Sequence, residues 1–389
     1  MLSEAKHTMR LAIVTSFPRN PDRPVGGVEA VSVILARALA ARDDLRVDVL
    51  TSDPDCAQPE QSEWDHCRIH RLPHSGKRIL SDALGPGRRS ICEYLRSLHP
   101  DVIHAHDVYG LMVKALDIPR VFTIHGFIHA DTAVSGSRFA WLRSRLWHHF
   151  ETGGWADQPH IISISPYVRE YLRGIATGII HDIDNPIDTR FFEIPREVAA
   201  GTIFCAALLC KRKNQIALVK ALGRLRDQGV DANLRLAGAA ADETYAGALR
   251  RCVSDCGLDE RVTLLGSLDA GQIRNELSHA AVFSLVSLEE GSPMGIEEAM
   301  AAGIPVVTSN RCGMPYMVRH GESGFLVNPE DPEDIAYRLA QLLASGELRS
   351  KMGRAGRRIA EDRFHPARVA QRTAEVYREI AKSSVNTPA

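Results

Sequence analysis

The chain has 389 residues, of which 44% are apolar and 24% are charged, and its formal net charge at pH 7 is −1. This length exceeds what one hydrophobic core normally spans, so it predicts two or three domains, and the composition excludes a wholly disordered chain. The balanced charge does not favour a protein that coats nucleic acid, and no partner of that kind is expected.

Short apolar runs alternate with amphipathic stretches along the chain, a pattern typical of parallel sheets covered by helices on both faces. In the first half, the predicted strands are 11–16, 46–51, 67–72, 101–105, 120–124 and 160–165, and the predicted helices are 28–41, 88–98 and 138–152. In the second half, the predicted strands are 202–206, 233–237, 261–265, 282–286, 304–308 and 325–327, and the predicted helices are 215–228, 243–256, 270–279, 295–302 and 332–344. The fold class is therefore α/β, with one doubly wound parallel sheet in each half.

A domain boundary is expected near residue 190, because residues 182–201 carry two prolines and no hydrophobic period. The predicted domains are residues 1–190 and 191–365. Residues 366–389 follow, and their amphipathic part, 366–382, predicts a helix that packs back on the first domain. Ligands of open α/β sheets bind at the carboxyl ends of the strands, so a ligand cleft is expected between two facing domains.

Neither the cysteines nor the N-terminus indicates export. The eight cysteines include no Cys-x-x-Cys pair, and a chain of this length does not need disulfides, so reduced thiols in a cytoplasmic protein are expected. Cys252 and Cys256 share a helical face, but no histidines stand near them, which favours a core role over metal binding. The apolar run after Arg10 is too short to span a membrane and predicts the first buried strand.

Residues 284–309 are the most informative stretch. A buried strand leads into a loop punctuated by glycine and proline, and a helix begins at about Gly295. A helix N-terminus presents unpaired N–H groups and a positive dipole end, which suits an anionic or hydroxyl-rich ligand. Two carboxylates, Glu290 and Glu298, flank this turn.

The spacing of Glu290 and Glu298 indicates what they can do together. Eight residues on a continuous helix span about 12 Å, whereas paired glycosidase carboxylates stand about 5 to 9.5 Å apart. The spacing therefore favours two carboxylates that contact two parts of an elongated ligand. The structural alternative is that Glu290 caps the helix and Glu298 is a solvated acid of its first turn.

Residues 290–307, EGSPMGIEEAMAAGIPVV, resemble the E-x7-E signature of the family 4 retaining glycosyltransferases. The resemblance implies the GT-B fold, in which two Rossmann-like domains face each other across a cleft. It also implies that Glu290 and the backbone after it face the donor sugar, and that Glu298 holds the ribose hydroxyls of the nucleotide.

Further motifs of the first half resemble those of the family. Gly26 and Gly27 resemble its glycine loop, where the backbone approaches the donor diphosphate. His125 follows a strand end that is similar to the one whose histidine reaches the donor sugar. His106, at the preceding strand end, either contacts the acceptor or is an ordinary strand-end histidine. Residues 185–188, NPID, resemble the segment that leads into the second domain.

The second half departs from the family pattern in two places. Lys213 matches the lysine that neutralises the donor diphosphate, but the position of the usual arginine holds Ala207. Lys211 or Arg212 is near enough along the chain to replace it. Tyr316 stands where many relatives carry glutamate.

The resemblance implies a retaining glycosyltransferase that moves a sugar from a nucleotide diphosphate sugar to a hydroxyl of a sugar, lipid-linked or small-molecule acceptor. The expected catalytic residues are Glu290, His125 and Lys213. The expected donor-binding residues are Gly26, Gly27, Arg212, Ser267, Leu268, Gly291, Ser292, Pro293, Met294, Gly295 and Glu298, with His106 on the acceptor side. No metal and no cofactor are expected, because cationic side chains can stabilise the leaving diphosphate.

Two rival functions stay open. One is a sugar-nucleotide epimerase of the same architecture, which would release nucleotide without an acceptor. The other is a degenerate, non-catalytic glycosyltransferase-like subunit, which Ala207 and Tyr316 would explain.

Basic and aromatic residues are concentrated in the first half. All four tryptophans lie there, and residues 66–91 hold six lysines and arginines against one acidic residue. Residues 136–151 interleave Arg138, Arg143 and Arg145 with aromatic and leucine residues. These segments suit peripheral contact with the inner membrane face or an anionic acceptor. The alternative is an ordinary helix whose aromatic residues pack inward.

Overall fold

The computed structural model describes residues 8–74, 83–134 and 139–385, and these residues form two compact units. The first unit comprises residues up to 126, residues 149–186 and residues from 366 onward, and the second comprises 127–148 and 187–365. The main division falls between Pro186 and Ile187, a few residues before the position expected from the sequence. Residues 127–148 group with the second unit, although the sequence placed them in the first domain.

The first unit contains an eight-stranded sheet. Its strands are β1 (Met9–Val14), β2 (Leu45–Asp53), β3 (Glu60–Trp64), β4 (Cys67–Pro73), β5 (Val102–His106), β6 (Arg120–Ile124), β7 (His160–Ser163) and β8 (Ile179–Asp182). They are ordered β3-β4-β2-β1-β5-β6-β7-β8. All neighbouring pairs are parallel except β3 and β4, so the predicted parallel sheet carries one antiparallel edge strand.

The helices of the first part of the chain are α1 (Gly27–Ala40), α2 (Pro86–Leu98), α3 (Val108–Val113), α4 (Ile128–Val134), α5 (Ala140–Trp155) and α6 (Pro166–Leu172). The strands β1, β2 and β5 are almost entirely buried, as the inner strands of a parallel sheet between two helical layers should be. The C-terminal helix α13 (Pro366–Val385) belongs to the same unit and packs against α1. Its Val369, Ala374 and Tyr377 join the core formed by β1, β2 and α1.

The second unit contains a six-stranded parallel sheet ordered β11-β10-β9-β12-β13-β14. Its strands are β9 (Thr202–Ala206), β10 (Asn233–Ala237), β11 (Val262–Gly266), β12 (Val282–Leu285), β13 (Val306–Ser309) and β14 (Gly324–Val327). Its helices are α7 (Gln215–Asp227), α8 (Glu243–Asp255), α9 (Ala270–His279), α10 (Met294–Ala301), α11 (Pro332–Ala344) and α12 (Gly346–Arg363). The strand order reverses at the central β9, the topology at which doubly wound sheets bind nucleotides.

The hydrophobic pattern of the sequence does not predict several of these elements. Strand β3 (EQSEW) is polar and almost fully exposed at the sheet edge, and β8 has only two apolar residues. Helix α12 carries many arginines and acidic residues on its solvent face, and its buried positions are mostly small. These elements form because neighbouring elements pair with them or pack against them. No apolar run or hydrophobic period indicates them in the sequence.

Candidate active site

The loop between β12 and α10 is held tightly by its surroundings. A Cβ on Gly295 would lie 3.1 Å from the Phe283 ring and 3.2 Å from the Ala206 carbonyl oxygen, so glycine lets α10 begin close to the central strands. A Cβ on Gly313 would lie 1.8 Å from the Gly291 carbonyl oxygen. The Gly313 amide also donates a hydrogen bond to the Glu290 carbonyl oxygen (2.9 Å). This packing fixes the loop in front of the α10 N-terminus.

The predicted donor residues of this stretch occupy that loop and the first turn of the helix. Gly291, Ser292 and Pro293 form the end of the loop, and Met294 and Gly295 begin α10. The Ser292 hydroxyl donates a hydrogen bond of 2.6 Å to the fully buried Glu297. The Ser292 side chain is therefore turned toward α10, which leaves the backbone to present N–H groups to a ligand.

Glu290 forms ion pairs with two cations. Its Oε1 lies 2.8 Å from Arg212 Nη1, and it also contacts the Lys213 ammonium. Arg212 donates a further hydrogen bond to the Glu289 carbonyl oxygen (3.0 Å), and the Leu288 amide donates to the Arg212 carbonyl oxygen (2.8 Å). These contacts tie the segment that follows β9 to the loop that precedes α10.

Burial and the two cations act in opposite directions on the Glu290 carboxyl. Burial tends to raise the pKa of Glu290, but the charges of Lys213 and Arg212 and their hydrogen bonds outweigh it and lower the pKa below the usual range. Glu290 is therefore ionised at neutral pH. Two positive charges and one negative charge are concentrated beside a helix N-terminus.

The structure distinguishes the two cations that could replace the arginine missing at Ala207. Arg212 is partly buried and contacts Glu290, whereas the neighbouring Lys211 is exposed. Both Arg212 and Lys213 thus lie at the loop of Glu290, where they place two positive charges near the N-terminus of α10.

Glu298 lies one turn into α10 near a second carboxylate, Asp188. Burial, with a further contribution from the charge of Asp188, raises the pKa of Glu298 to about 8. Glu298 is therefore mostly protonated at pH 7, which gives it a hydroxyl donor as well as a carbonyl acceptor. It is not the solvated first-turn acid of the structural alternative.

Ser267 and Leu268 lie between β11 and α9. Ser267 is exposed, and Leu268 is half-buried against the core of the unit. Helix α9 begins with a capping box in which Asp269 accepts from the Gln272 amide (2.9 Å) and Gln272 accepts from the Asp269 amide (2.9 Å). Ser267 thus lies on a fixed loop at the carboxyl end of the sheet.

In the first unit, Gly26 and Gly27 form the N-terminus of α1. Gly26 has φ of 93°, a conformation that L-residues with a side chain rarely adopt, and nothing lies within 4 Å of where its Cβ would be. Gly27 is the first residue of the helix. The open space at Gly26 and the free amides of the first turn suit an anionic ligand.

His125, after the end of β6, forms a hydrogen-bonded pair with a second histidine. A hydrogen bond of 2.8 Å joins His125 Nε2 to His106 Nδ1, and the His125 amide donates to the Asp107 carboxylate (2.9 Å). The His125 ring also interacts with the Asn185 side chain, in a hydrogen bond that the imidazole donates. Burial lowers the pKa of His125, with Asp107 and Asn185 acting against it. The ring is therefore held neutral in a fixed orientation.

The surroundings of His106 do not favour the acceptor contact predicted for it. It is only 1% exposed, and its ring packs between His104 and His125. The neighbouring His104 forms hydrogen bonds with the hydroxyl of Tyr377 in α13 (2.7 Å) and with the hydroxyl of Thr123 (2.6 Å). This environment favours a role for His106 in positioning His125 over a direct contact with an acceptor.

Asp107 and Asn185, which both contact His125, are not among the site residues predicted from the sequence. Asp107 directly follows His106 at the end of β5, so its place at a carboxyl strand end could have marked it. Asn185 belongs to the NPID motif, but its hydrogen bond with His125 can be recognised only from the three-dimensional fold.

Two family models match the chain. The model described as Glycosyltransferase Family 4 matches residues 25–191, and the model described as Glycosyl transferases group 1 matches residues 187–359. Together they run from the glycine loop into α12. The chain belongs to the family 4 glycosyltransferases.

Relatives of known name support this assignment. A GDP-mannose-dependent alpha-(1-6)-phosphatidylinositol monomannoside mannosyltransferase of Mycobacterium tuberculosis is 32% identical over 163 residues, which cover 40% of this chain and 42% of that protein. The match therefore spans less than half of that relative's length. An MMP alpha-(1->4)-mannosyltransferase of Mycolicibacterium hassiacum is 28% identical over 292 residues, covering 71% of this chain and 70% of that protein.

Solved structures show that the fold is GT-B. A sucrose-phosphate synthase from Thermosynechococcus elongatus superposes with a TM-score of 0.83 at 23% identity, covering 96% of this chain and 100% of that chain. Anabaena HepE in complex with UDP-glucose superposes with a TM-score of 0.73 at 18% identity, covering 95% of this chain and 100% of that chain.

Proposed function

We propose that this protein is a retaining glycosyltransferase that moves a sugar from a nucleotide diphosphate sugar to an acceptor hydroxyl. The observation that carries the proposal is the convergence of Arg212, Lys213 and Glu290 at the N-terminus of α10. Family membership supplies the reaction class, and this cluster supplies the charge that the class needs.

The two cations would stabilise the diphosphate as it leaves. Negative charge grows on the diphosphate when its bond to the sugar breaks, so preorganised cations and helix N–H groups lower the barrier most at that point. Glu290 holds both cations in place before the donor binds. Because Arg212 and Lys213 supply positive charge on the protein itself, we propose that transfer needs no metal ion.

Glu290 would contact the donor sugar, and Glu298 would hold the ribose. A protonated Glu298 can donate one hydrogen bond to a ribose hydroxyl and accept another, which suits a vicinal diol. We propose no protein side chain as general base. In a retaining transfer of this kind, an oxygen of the departing phosphate can accept the proton of the acceptor hydroxyl on the same face of the sugar.

The first unit would contribute His125 and the Gly26–Gly27 loop. The hydrogen bond to His106 and the contact with Asn185 fix the His125 ring, so little reorganisation is needed when it meets a sugar hydroxyl. Gly26 leaves room for an anionic group beside the first amides of α1.

A donor screen tests the proposal. The relatives' names indicate GDP-mannose, and HepE has been seen with UDP-glucose, so the panel should contain GDP-, UDP- and ADP-sugars. Thermal stabilisation selects a donor, and product analysis with candidate acceptors follows. Retention of anomeric configuration in the product is expected. Conversion of the donor sugar without an acceptor would instead indicate the epimerase, and no donor binding would indicate the non-catalytic subunit.

We further propose that residues 139–146 bring the protein to an anionic membrane surface on which the acceptor resides. The exposed fractions of Phe139, Trp141, Leu142 and Leu146 are 61%, 65%, 53% and 53%, so these residues do not pack inward. Arg143 and Arg145 are exposed on α5 beside Trp141, Leu142 and Leu146, and Phe139 directly precedes this helix. Apolar side chains flanked by arginines are typical of helices that lie on anionic lipid.

The other basic residues of the first half give weaker support for a membrane contact. Lys77, Arg78, Asp82 and Arg138 lie outside the described residues, whereas Arg68 and Arg89 are exposed. None of the helices in residues 8–74, 83–134 and 139–385 is long and apolar enough to cross a membrane. The proposed contact is therefore peripheral.

Vesicle sedimentation tests the membrane proposal. The protein should bind vesicles of phosphatidylglycerol more strongly than vesicles of phosphatidylcholine, and added salt should weaken binding. Trp141→Ser with Leu146→Ser should reduce binding severalfold. Val198→Ser removes an apolar residue that is 45% exposed elsewhere and serves as the control. Equal binding by all three proteins would contradict the proposal.

A further inference from the structure

Two histidines and a glutamate meet where α13 crosses the edge of the first unit's sheet. His160 is the first residue of β7, His181 lies in β8, and Glu379 comes from α13. One ligand atom from each residue lies within 4.8 Å of the others. His106 and His125 stand at the carboxyl ends of their strands, whereas His160 stands at the amino end of β7, so this cluster is separate from the candidate active site.

Strand register places both histidines on the face that α13 covers. His181 pairs with Ile162, and His160 lies two residues before Ile162, so all three side chains point to one face of the sheet. Ile162 belongs to the same apolar cluster as Val376 and Ile380 of α13. Glu379 therefore reaches the histidines from the helix that packs on this face.

The distances suit a bound metal ion. His160 Nδ1 and His181 Nε2 are 3.1 Å apart. An ion about 2.0 to 2.1 Å from each imidazole nitrogen would subtend an angle of roughly 100° at that separation, close to tetrahedral. The rings are nearly parallel, with an interplanar angle of 17°, so binding requires rotation of the half-buried His181.

The charges around the cluster are compatible with a cation. Glu379 brings a carboxylate to the two imidazoles, and a carboxylate with two imidazoles is a ligand set that attracts a divalent ion. The nearby Arg169 is paired with Asp182 (2.8 Å), which offsets its positive charge.

We propose that His160, His181 and Glu379 bind a divalent ion of the zinc class and that the ion fastens α13 to β7 and β8. Two imidazoles, one carboxylate and a water make a four-coordinate set that Zn²⁺ accepts. The helix returns to the first unit only after the whole second unit, so the ion would link distant parts of the chain.

Titration of untagged, chelator-treated protein with Zn²⁺ and Co²⁺ tests this site. We expect one ion per chain, a rise in melting temperature with Zn²⁺, and Co²⁺ absorption bands of four-coordinate nitrogen and oxygen ligation. A thiolate-to-cobalt charge-transfer band would place the ion on cysteines instead and overturn the proposal.

Variants make the test specific. His181→Ala and Glu379→Gln should each weaken Zn²⁺ binding roughly tenfold or more and abolish the metal-dependent rise in melting temperature. Glu375→Gln changes an exposed carboxyl one turn earlier on α13 and should bind as the unaltered protein does. Circular dichroism confirms that each variant is folded. Zn²⁺ affinity unchanged in His181→Ala, or no binding to the unaltered protein, would show that the histidines share only a hydrogen bond.

Discussion

Arg212 and Glu290 form an ion pair, 2.8 Å from Nη1 to Oε1, that joins the segment after β9 to the loop before α10. The side chains are 21% and 10% exposed, so the pair is largely screened from water. Ala207 stands where the family usually has an arginine, and this pair places another guanidinium, five residues later in the chain, at the loop before α10.

Glu290→Ala should lower kcat by about 100-fold, because it removes the proposed sugar contact and the group that holds both cations. It should also lower the free energy of unfolding by about 1 to 3 kcal/mol, since it leaves the donors of Arg212 and Lys213 without their partly buried partner. Glu290→Gln keeps the shape of the side chain but removes its charge. Comparison with Glu290→Ala should therefore separate the effect on kcat from the effect on the free energy of unfolding. Steady-state kinetics and denaturant unfolding measure them, with the exposed Glu322→Gln as control. Transfer within threefold of normal in Glu290→Ala would remove Glu290 from its role.

Arg212→Ala should weaken donor binding by about 10- to 100-fold, which corresponds to the loss of one charge-assisted hydrogen bond. Arg212→Lys should restore part of it, because lysine keeps the charge without the planar fork. Lys211→Ala removes an exposed cation one residue away and should have little effect. Calorimetry measures the three affinities. A larger loss in Lys211→Ala than in Arg212→Ala would show that Lys211 replaces the missing arginine.

Glu298→Gln should stabilise the protein increasingly as pH rises. The pKa of Glu298 is raised to about 8 in the folded state, so folding holds its proton up to that pH, whereas an unfolded glutamate loses it near 4.5. The unaltered protein therefore loses stability between about pH 4.5 and pH 8, and the glutamine variant lacks this loss.

Melting temperatures at pH 5, 7 and 9 check the Glu298 prediction. The difference between Glu298→Gln and the unaltered protein should grow from the lowest to the highest pH. Glu260→Gln, at an exposed position, is the matched control. A difference that does not change with pH would mean that Glu298 is ionised across the range.

Gly295→Ala should destabilise the second unit by about 1 to 3 kcal/mol, because its Cβ would press on the Phe283 ring and the Ala206 carbonyl oxygen. Gly247→Ala is the matched helical control, since the nearest atom to its Cβ is a flexible arginine nitrogen at 3.6 Å. That control should be neutral or slightly stabilising. Denaturant unfolding compares them, and equal stability of the two variants would show that α10 does not need the close approach.

His106→Asn should lower kcat with little change in KM, because it disturbs the orientation of His125 without touching the donor. His125→Asn should lower kcat further. The double variant should be no worse than His125→Asn alone, since His106 acts through His125. Additive losses in kcat would indicate an independent role for His106, such as the acceptor contact expected from the sequence.

The sequence predicts the α/β class and most strands, because short, mainly apolar runs such as 11–16 and 282–286 have few alternatives to a buried strand. It does not reveal β3, whose polar side chains pair with β4 at an exposed edge. The sequence also cannot show that Arg212 turns toward Glu290 while Lys211 faces solvent. Both are cationic and adjacent, and only the local backbone conformation decides where each side chain points. The contacts of His106 and Asn185 with His125 join residues far apart in the chain.

The most direct test of the account is calorimetric titration of UDP, GDP and ADP into the unaltered protein and into the Arg212→Ala, Lys213→Ala double variant. We expect the unaltered protein to bind at least one of these nucleotides, and the folded double variant to lose that binding by about 100-fold or more. Equal affinity in the two proteins, or no affinity for any of the three nucleotides, would contradict the proposal that these cations hold the donor diphosphate.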